Sequence, residues 1–227
     1  MSIVFLLDVD NTLINNDAVK ADLSARIEGL LGQSEAVRFW STHDEVRRER
    51  DNVDFPRTLE RFSAPLADKR AFAQVAALVL GYPYETSVYA GAPESLAHLR
   101  ELGPVAIVSD GDPVFQPAKI ARAGLATAVD RIFMTVHQER ELARVLREMP
   151  AARYVLVDDK PRILAAVKAT FGERVFTLHV CQGHYARAEE HHGYPPADRT
   201  IDAIADLARL TRADLGDHER AIRVRDE

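Results

Sequence analysis

Short apolar runs recur along the chain, and each run ends where polar or small residues begin. They predict β-strands at residues 3–7, 105–108, 154–157 and 175–178, with a weaker one at 131–134. The runs are almost continuously apolar and do not alternate with polar residues. Such runs are typical of parallel strands that are covered by helices on both faces. The pattern therefore predicts a buried parallel sheet.

Helical periodicity fills the intervals between most of these strands. Apolar residues at helical spacing predict helices at residues 93–102, 114–123, 138–148, 161–171 and 200–210. Strands and helices that alternate in this way form consecutive βαβ units. The predicted fold class is α/β.

One long interval, residues 15–88, departs from this alternation because it holds three or four helical patterns and no convincing strand. Its clearest pattern places five apolar residues on one helical face: Phe72, Val75, Ala76, Val79 and Leu80. We therefore predict two units, a core formed by residues 1–14 and 89–227 and a helical unit inserted at residues 15–88.

The composition fits a globular protein of enzyme size, since 47% of its 227 residues are hydrophobic and can form a well-buried core. Thirty-five acidic residues outnumber 29 basic ones, and no long basic block is present, so we expect no nucleic-acid partner. The apolar run at 3–7 lacks a basic start and ends at Asp8, so we expect neither a signal peptide nor a membrane span. The one cysteine, Cys181, excludes an internal disulfide. We expect a cytoplasmic protein.

Two aspartates separated by one residue, Asp8 and Asp10, directly follow the first predicted strand and precede Asn11 and Thr12. Residues just past the carboxyl end of a parallel strand face the crevice in which ligands bind. Two carboxylates on the same side repel each other unless a proton or a cation lies between them. The pair therefore predicts a site for a hard divalent cation, Mg²⁺. The alternative is an Asp-Asn turn that has no chemical role.

The same pair is suited to phosphoryl transfer. Asp8 can attack phosphorus to form an acyl phosphate, while Asp10 protonates the leaving oxygen and later activates water. Mg²⁺ reduces the repulsion between an anionic nucleophile and an anionic phosphate. We therefore expect a small phosphorylated molecule as the substrate.

Two further strand ends carry residues suited to phosphate or metal. Ser109, Asp110 and Gly111 follow the second run, where a hydroxyl and successive backbone N–H groups can hold phosphate oxygens. Asp158 and Asp159 follow the fourth run and offer oxygens that a hard divalent cation prefers. For each segment the alternative is an ordinary helix cap.

In this order and at these strand ends, the motifs resemble those of the haloacid dehalogenase superfamily with a C1-type cap, and the resemblance covers nearly the whole chain. It implies a Rossmann-like parallel sheet core with a helical cap domain inserted after the first strand. It also implies a role for each motif residue: Asp8 as nucleophile, Asp10 as general acid/base whose backbone carbonyl contacts the metal, Thr12 as loop support, Ser109 as phosphate ligand, Asp158 as direct Mg²⁺ ligand and Asp159 as a second or water-mediated ligand. Dehalogenating members carry a tyrosine at the second acidic position and need no metal, so Asp10 favours a phosphate substrate.

Two segments depart from the family pattern. The family places a phosphate-binding lysine near the start of the helix before the fourth strand, but residues 135–140 contain no lysine. His137 within that segment and Lys119 one helix earlier are candidates to bind phosphate instead. Lys160 is a candidate charge partner of the neighbouring pair Asp158 and Asp159. Arg162 lies where the family often has a further acidic residue, which leaves fewer metal ligands.

The missing lysine keeps a second hypothesis open, a catalytically weak or inactive phosphate-binding regulatory protein on the same scaffold. A phosphomutase also stays open, because the same intermediate can pass its phosphoryl group to a sugar. A phospho-accepting receiver module is disfavoured by the long insertion after the first strand.

Several other residues have weaker chemical signals. We expect four histidines to be surface or loop residues, since no acidic or thiolate ligands accompany them: His179, His184, His191 and His192. Four residues of the inserted unit are candidates either for a substrate pocket or for ordinary packing and surface: Trp40, Arg47, Arg57 and Arg61.

Overall fold

Parallel strand pairing organises the chain around one central sheet. The computed structural model describes residues 2–50, 53–64, 66, 68–135, 138–187 and 193–216, and of residues 138–141 and 187 it describes only the backbone. Within these ranges the strands are β1 (Ile3–Leu7), β2 (Val105–Asp110), β3 (Arg131–Thr135), β4 (Arg153–Asp158), β5 (Val175–Val180) and β6 (Arg199–Ile201). They lie in the order β3-β2-β1-β4-β5-β6, and every neighbouring pair is parallel. The predicted α/β class and Rossmann-like sheet are confirmed.

The helices fall into two sets along the chain. The first four follow β1: α1 (Asn16–Leu31), α2 (Gln33–Arg50), α3 (Phe55–Ser63) and α4 (Lys69–Leu80). We call α1–α4 the helical segment. The other four alternate with the later strands: α5 (Ala92–Leu102) precedes β2, and α6 (Phe115–Arg122), α7 (Gln138–Glu148) and α8 (Pro161–Phe171) follow β2, β3 and β4. None of the described helices is long and apolar enough to cross a membrane.

The continuous apolar runs arise because successive residues of a strand pack into different layers. Ile3 and Phe5 of β1 belong to an apolar cluster that also contains side chains of α5, α6 and the helical segment. Val4 and Leu6 belong to a second cluster that contains side chains of α7 and α8. Since both faces of the sheet are covered, neither set of alternating positions can be polar.

Two details of the sequence prediction are wrong. Residues 200–210 are not one helix, because Arg199–Ile201 pairs with the edge of β5 and a short 3₁₀-helix, Ile204–Arg209, follows. Pairing with a sheet edge suits the β-branched residues at 200 and 201 and outweighs the local helical periodicity. In α4, Val75 and Val79 are buried as predicted, but Leu80 is 38% exposed because it is the last residue of the helix.

Asp198 joins three elements beside the β5 and β6 pair. Its carboxylate accepts hydrogen bonds from the backbone N–H of Thr177 at 2.8 Å and from the Thr177 hydroxyl at 3.0 Å. The ammonium of Lys168 on α8 donates to it at 3.0 Å. Burial alone raises the pKa of Asp198, but the hydrogen bonds from Thr177 and Lys168 outweigh burial and lower the pKa overall.

We predict that Asp198→Asn lowers the free energy of unfolding at pH 7 by about 1.5–3 kcal/mol, the usual contribution of hydrogen bonds to a charged group. Because the folded-state pKa is lowered, this contribution is full above the unfolded pKa of about 3.9 and is lost as pH falls below it. Urea unfolding of both proteins near pH 7 and near pH 3 measures the difference. The control is Asp202→Asn, since Asp202 is exposed. If wild type and Asp198→Asn differed in free energy of unfolding by the same amount at both pH values, this account would be contradicted.

Candidate functional site

The carboxyl ends of β1, β2 and β4 meet at one edge of the sheet, and we call the space in front of this edge the crevice. Leu7, the last residue of β1, pairs with Ile107 of β2 and with Val157 of β4. The backbone N–H of Asp8 donates to the carbonyl of Val157 at 3.0 Å, so strand-like pairing continues one residue past β1. The predicted motif residues at the ends of these three strands therefore lie next to one another in the sheet.

Three of these residues form a buried acidic trio, Asp8, Asp158 and Asp159. Each offers a carboxylate oxygen, and the three oxygens lie within 4.8 Å of one another. Asp158 Oδ1 accepts a hydrogen bond from the backbone N–H of Lys160 at 2.8 Å. No described residue donates a hydrogen bond to Asp8 Oδ2, to Asp158 Oδ2 or to either carboxylate oxygen of Asp159. Buried carboxylates without partners are costly, so the trio requires protons or a cation.

Burial raises the pKa of every member of the trio. It raises the pKa of Asp8 well above the ordinary value, the pKa of Asp158 to about 6 and the pKa of Asp159 to about 9. The positive charge of Lys160 lowers each of these values but does not cancel the effect of burial. Without a bound cation, the trio therefore keeps a proton at neutral pH.

The arrangement of the trio fits a hard divalent cation. Carboxylate oxygens are the ligands that Mg²⁺ prefers, and two oxygens that share one Mg²⁺ lie at most about 4.2 Å apart, twice a bond of about 2.1 Å. The separations of up to 4.8 Å in the trio are only slightly wider. A cation here would satisfy the oxygens that lack hydrogen bonds and would remove the repulsion between the three carboxylates.

Asp10 lies in the same loop as Asp8, but its carboxylate binds two side chains of α6. Gln116 donates to Oδ2 of Asp10 at 3.2 Å, and the ammonium of Lys119 forms a hydrogen-bonded ion pair with Oδ1. Lys119 also donates to the side-chain oxygen of Asn16, the first residue of α1, at 3.0 Å. Burial alone raises the pKa of Asp10, but the charge and hydrogen bond of Lys119 outweigh burial and lower it. Asp10 is therefore ionised in this arrangement.

The segment after β2 is a tight turn that leads into α6. Ser109 is buried at the strand end, and its hydroxyl accepts a hydrogen bond from Gln116 at 3.1 Å. Gly111 has a φ of 149°, and a Cβ added there would lie 3.1 Å from the Cβ of Gln116, so this turn requires glycine. Asp112 accepts hydrogen bonds from two backbone N–H groups at the start of α6, which leaves Ser109 free of the capping role.

Asp110, also predicted to bind phosphate, is engaged elsewhere through its side chain. The hydroxyl of Thr135 on β3 donates to its Oδ1 at 2.5 Å. A contribution of Asp110 to phosphate binding would therefore come from its backbone N–H, as in other anion-binding loops.

The turn after Asp8 is held by backbone and amide contacts. Asn11 adopts a φ of 61°, and its side chain exchanges hydrogen bonds of 3.2 Å with Asp17 at the start of α1. The Thr12 hydroxyl is buried and has no partner among the described residues, whereas the Thr12 carbonyl accepts a hydrogen bond from Gln182 at 3.3 Å. The loop is thus tied both to the helical segment and to the chain after β5.

The helical segment contacts the core on both sides of the crevice. Phe55 of α3 packs against Phe115 of α6 with ring centroids 5.2 Å apart. On the other side, Arg47 of α2 donates to the hydroxyl of Tyr185 at 2.9 Å, and Asp17 accepts a hydrogen bond from the backbone N–H of His184 at 2.8 Å.

Of the four candidate pocket residues in the helical segment, Arg47 is the one for which a contact with the core is described. Arg57 pairs with Glu60 and Arg61 pairs with Glu49 on the surface of the same segment. Trp40 packs edge-on against Phe39, His43 and Phe55. His184 is an exposed loop residue, as predicted. His137, His191 and His192 lie outside the described residues.

Lys160, for which the sequence predicts only a possible charge partner, lies beside the trio. Its ammonium lies 3.7 Å from Asp8 Oδ2 and 3.9 Å from Asp159 Oδ1. Burial alone lowers the pKa of Lys160, but the four aspartates of the crevice outweigh burial and raise it. Lys160 is therefore a fixed positive charge beside the trio.

Gln116 was missed by sequence reasoning, although one signal for it was available. It lies three residues before Lys119 in the helix that follows the Ser109 loop. Residues three apart in a helix share a face, so a helix that directs Lys119 towards the crevice directs Gln116 there as well.

Comparisons with known proteins identify the family and relatives of the same fold. Residues 4–169 match the model of the haloacid dehalogenase-like hydrolase family. A crystal structure from Burkholderia xenovorans LB400, described as a haloacid dehalogenase-like hydrolase, is 40% identical to the chain and superposes with a TM-score of 0.85. The alignment covers 92% of this chain and 99% of the Burkholderia chain.

More distant structures share the fold. A haloacid dehalogenase-like family hydrolase from Xanthomonas campestris is 19% identical, with a TM-score of 0.69 and coverage of 95% of this chain and 92% of that one. An L-2-haloacid dehalogenase from Xanthobacter autotrophicus is 20% identical, with a TM-score of 0.63 and coverage of 93% and 99%. The comparison with curated proteins returned no match.

We predict that Mg²⁺ stabilises the protein more at pH 8.5 than at pH 5.5, since protons and Mg²⁺ compete for the same carboxylates. Because their folded-state pKa values are raised, Asp158 and Asp159 contribute most to the stability of the metal-free protein below the unfolded pKa of about 3.9. Their contributions fall as pH rises from there to about 6 for Asp158 and to about 9 for Asp159. At a Mg²⁺ concentration about 100 times Kd, binding raises the free energy of unfolding by about 2.7 kcal/mol, which corresponds to a rise in Tm of roughly 5–10 °C.

Thermal unfolding with Mg²⁺ and with a chelator at both pH values measures this effect. The variant Asp159→Asn removes one titrating carboxylate and is expected to reduce the dependence on pH. A Mg²⁺-induced shift of the same size at both pH values would contradict the assignment of the trio as the cation site.

Proposed function

Because the chain belongs to the haloacid dehalogenase-like hydrolase family, we propose that it is a Mg²⁺-dependent phosphohydrolase that acts on a small phosphorylated molecule through an aspartyl-phosphate on Asp8. The observation that carries this proposal is the pairing of two aspartates with different environments in one loop. Asp8 has a buried carboxylate oxygen, Oδ2, to which no described residue donates a hydrogen bond, whereas Lys119 and Gln116 hold the carboxylate of Asp10.

The second aspartate favours cleavage of a phosphate ester over dehalogenation. A halide leaves as a stable anion and needs no proton, but an alkoxide leaving group must be protonated as its bond to phosphorus breaks. In this proposal Asp10 is the acid/base group that transfers that proton. The likeness to the Xanthobacter dehalogenase, at 20% identity, concerns the fold and does not bear on the reaction.

The proposed reaction has two steps. Asp8 Oδ2 attacks phosphorus, the bond from phosphorus to the leaving oxygen breaks, and Asp10 donates a proton to that oxygen. Water then attacks the same phosphorus, Asp10 accepts a proton from the water, and phosphate departs as the Asp8 carboxylate is restored. Asp10 is ionised beside Lys119 in the free protein, so we expect the negative charge of the bound phosphate to raise its pKa before the first proton transfer.

Other residues of the crevice bind and orient the phosphoryl group. The buried Ser109 hydroxyl and the backbone N–H groups that follow it would donate to phosphate oxygens. The trio would hold Mg²⁺, which supplies positive charge between the nucleophile and the phosphate when bound. The contacts of Arg47 and Phe55 place the helical segment beside the crevice, where it would limit the access of water and contact the rest of the substrate.

A second candidate function follows from the absence of lysine at residues 135–140. A protein that binds phosphate and Mg²⁺ without turnover would be regulatory. This candidate predicts stabilisation by Mg²⁺ with beryllofluoride, a mimic of the aspartyl-phosphate, without release of phosphate from any substrate.

We predict that the wild-type protein with Mg²⁺ releases phosphate from p-nitrophenyl phosphate and from members of a panel of small organophosphates, and that Asp8→Asn reduces the release to background. The amide of asparagine has nearly the same shape as the carboxylate but cannot act as the nucleophile. Phosphate release is the measurement, and chloride release from 2-haloacids is the parallel assay for the alternative reaction. Wild-type turnover equal to that of Asp8→Asn on every compound would overturn the proposal.

We predict that Asp10→Asn slows turnover of alkyl phosphates by about 10²- to 10⁴-fold, the usual contribution of a general acid or base. The first step with p-nitrophenyl phosphate should be less affected, because its leaving group needs little protonation. The second step still lacks its base, so the aspartyl-phosphate should accumulate and be visible by intact-protein mass spectrometry. An equal loss on both substrate types without accumulation would show that Asp10 does not transfer protons.

A further inference from the structure

We propose that Lys160 is the positioning residue that restrains Asp8 and anchors the phosphoryl group, in place of the lysine absent from residues 135–140. This inference rests on the proposed phosphatase function and names the residue that makes it feasible. A phosphoryl group that enters the crevice meets four aspartates, so attack by Asp8 needs a fixed positive charge at the point where nucleophile and phosphate meet.

The geometry places Lys160 at that point. Its ammonium lies 3.7 Å from Asp8 Oδ2, the oxygen to which no described residue donates a hydrogen bond. This distance and the 3.9 Å to Asp159 are both too long for hydrogen bonds, so the attraction is Coulombic. The N–H groups of Lys160 donate no hydrogen bond to either carboxylate. The ammonium can therefore donate to a phosphate oxygen while it stays close to Asp8.

Exposure supports the same role. The side chain of Lys160 is 25% exposed, whereas Asp8 and Asp159 are almost completely buried. Lys160 thus lies at the edge of the buried acidic trio, where part of its side chain reaches solvent. The ring of Tyr185 lies 5.9 Å from the ammonium and provides a further neighbouring surface.

The backbone holds Lys160 in place. Its N–H donates to Asp158 Oδ1 at 2.8 Å, and Pro161 directly after it begins α8. One short stretch of chain therefore supplies two members of the trio and the positive charge beside them. A lysine presented from residues 135–140 would reach the crevice from a different strand end, but the charge would serve the same purpose.

Lys119 is not equivalent to Lys160. It is only 4% exposed, and its ammonium is engaged by Asp10 and by Asn16. It also lies over the ring of Tyr84, 5.4 Å from the centroid. The two lysines therefore hold different aspartates, Lys119 the acid/base residue and Lys160 the nucleophile.

During the reaction Lys160 forms and breaks no covalent bond. As Asp8 Oδ2 bonds to phosphorus, the carboxylate loses its negative charge, and the ammonium then faces the negative oxygens of the phosphoryl group. When water displaces Asp8, the charge returns to the carboxylate and the original ion pair is restored. The charge on Lys160 is thus matched by a nearby negative charge at each stage.

The test compares Lys160→Gln and Lys160→Arg with two other variants of the full chain. Lys168→Gln, on the far part of α8 and paired with Asp198, is the control for helix integrity. Lys119→Gln tests the other lysine of the crevice. The measurements are kcat and KM with p-nitrophenyl phosphate, binding of Mg²⁺ alone, and binding of beryllofluoride with Mg²⁺.

For Lys160→Gln we expect kcat to fall about 10²- to 10³-fold, the usual loss when one group that stabilises the transition-state charge is removed. Beryllofluoride binding should weaken, whereas the affinity for Mg²⁺ alone should be unchanged or higher because a competing positive charge is gone. Lys160→Arg should recover part of both losses. A residue with a purely structural role would weaken the binding of Mg²⁺ and of beryllofluoride together and would not be rescued by arginine.

The outcomes separate this inference from the proposed function. If wild-type turnover depends on Asp8 but Lys160→Gln keeps wild-type kcat and beryllofluoride affinity, the function stands and the role of Lys160 is overturned. If Lys160→Gln loses Mg²⁺ binding as well, the positioning role is again overturned. If wild type binds beryllofluoride through Lys160 but shows no turnover, the phosphatase proposal fails while Lys160 is retained as the phosphoryl anchor. If wild type binds no beryllofluoride, both fail.

Discussion

The repulsion among carboxylates buried at the carboxyl edge of the sheet is the constraint on which the rest of the site depends. A parallel sheet with helices on both faces offers little water to these groups, so each negative charge needs a local partner. The trio of Asp8, Asp158 and Asp159 leaves oxygens without hydrogen bonds, while Asp10 is held by side chains of α6. The four aspartates thus divide into a group that requires protons or a cation and one residue that already has its partner.

This division gives two carboxylates of one loop different environments. Asp8 and Asp10 are separated by a single residue, yet the pKa of the first is raised and the pKa of the second is lowered. Burial acts in the same direction on both, so the difference comes from their neighbours. Lys119 makes a hydrogen-bonded ion pair with Asp10, whereas Lys160 approaches Asp8 only to 3.7 Å and Asp158 adds a negative charge beside it. The nucleophile and the proton carrier that we propose would therefore be distinguished by their charged neighbours.

The strands and the meeting of the trio could be predicted from sequence because both depend on local pattern and on a general rule of parallel sheets. The run at Ile3–Leu7 is apolar on both faces, and residues that follow such strands lie at a common edge. β6 could not be predicted in this way, because its three residues form a strand only by pairing with β5. The contact of Lys119 with Asp10 could not be predicted from the sequence either, whereas Lys160 was already a candidate charge partner of the Asp158–Asp159 pair. Lys119 reaches an aspartate 109 positions away, and that contact depends on how α6 packs against the first loop.

The register between β1 and β4 has a consequence for how the protein can vary. Leu7 pairs with Val157, and the N–H of Asp8 donates to the carbonyl of that same residue. The spacing between Asp8 and the Asp158–Asp159 pair is therefore set by hydrogen bonding between two central strands. Insertions and deletions in the helical segment would leave this spacing intact, whereas the loss of one residue within either strand would separate the carboxylates. The helical segment is thus free to change in length and sequence while the distance between these carboxylates stays the same.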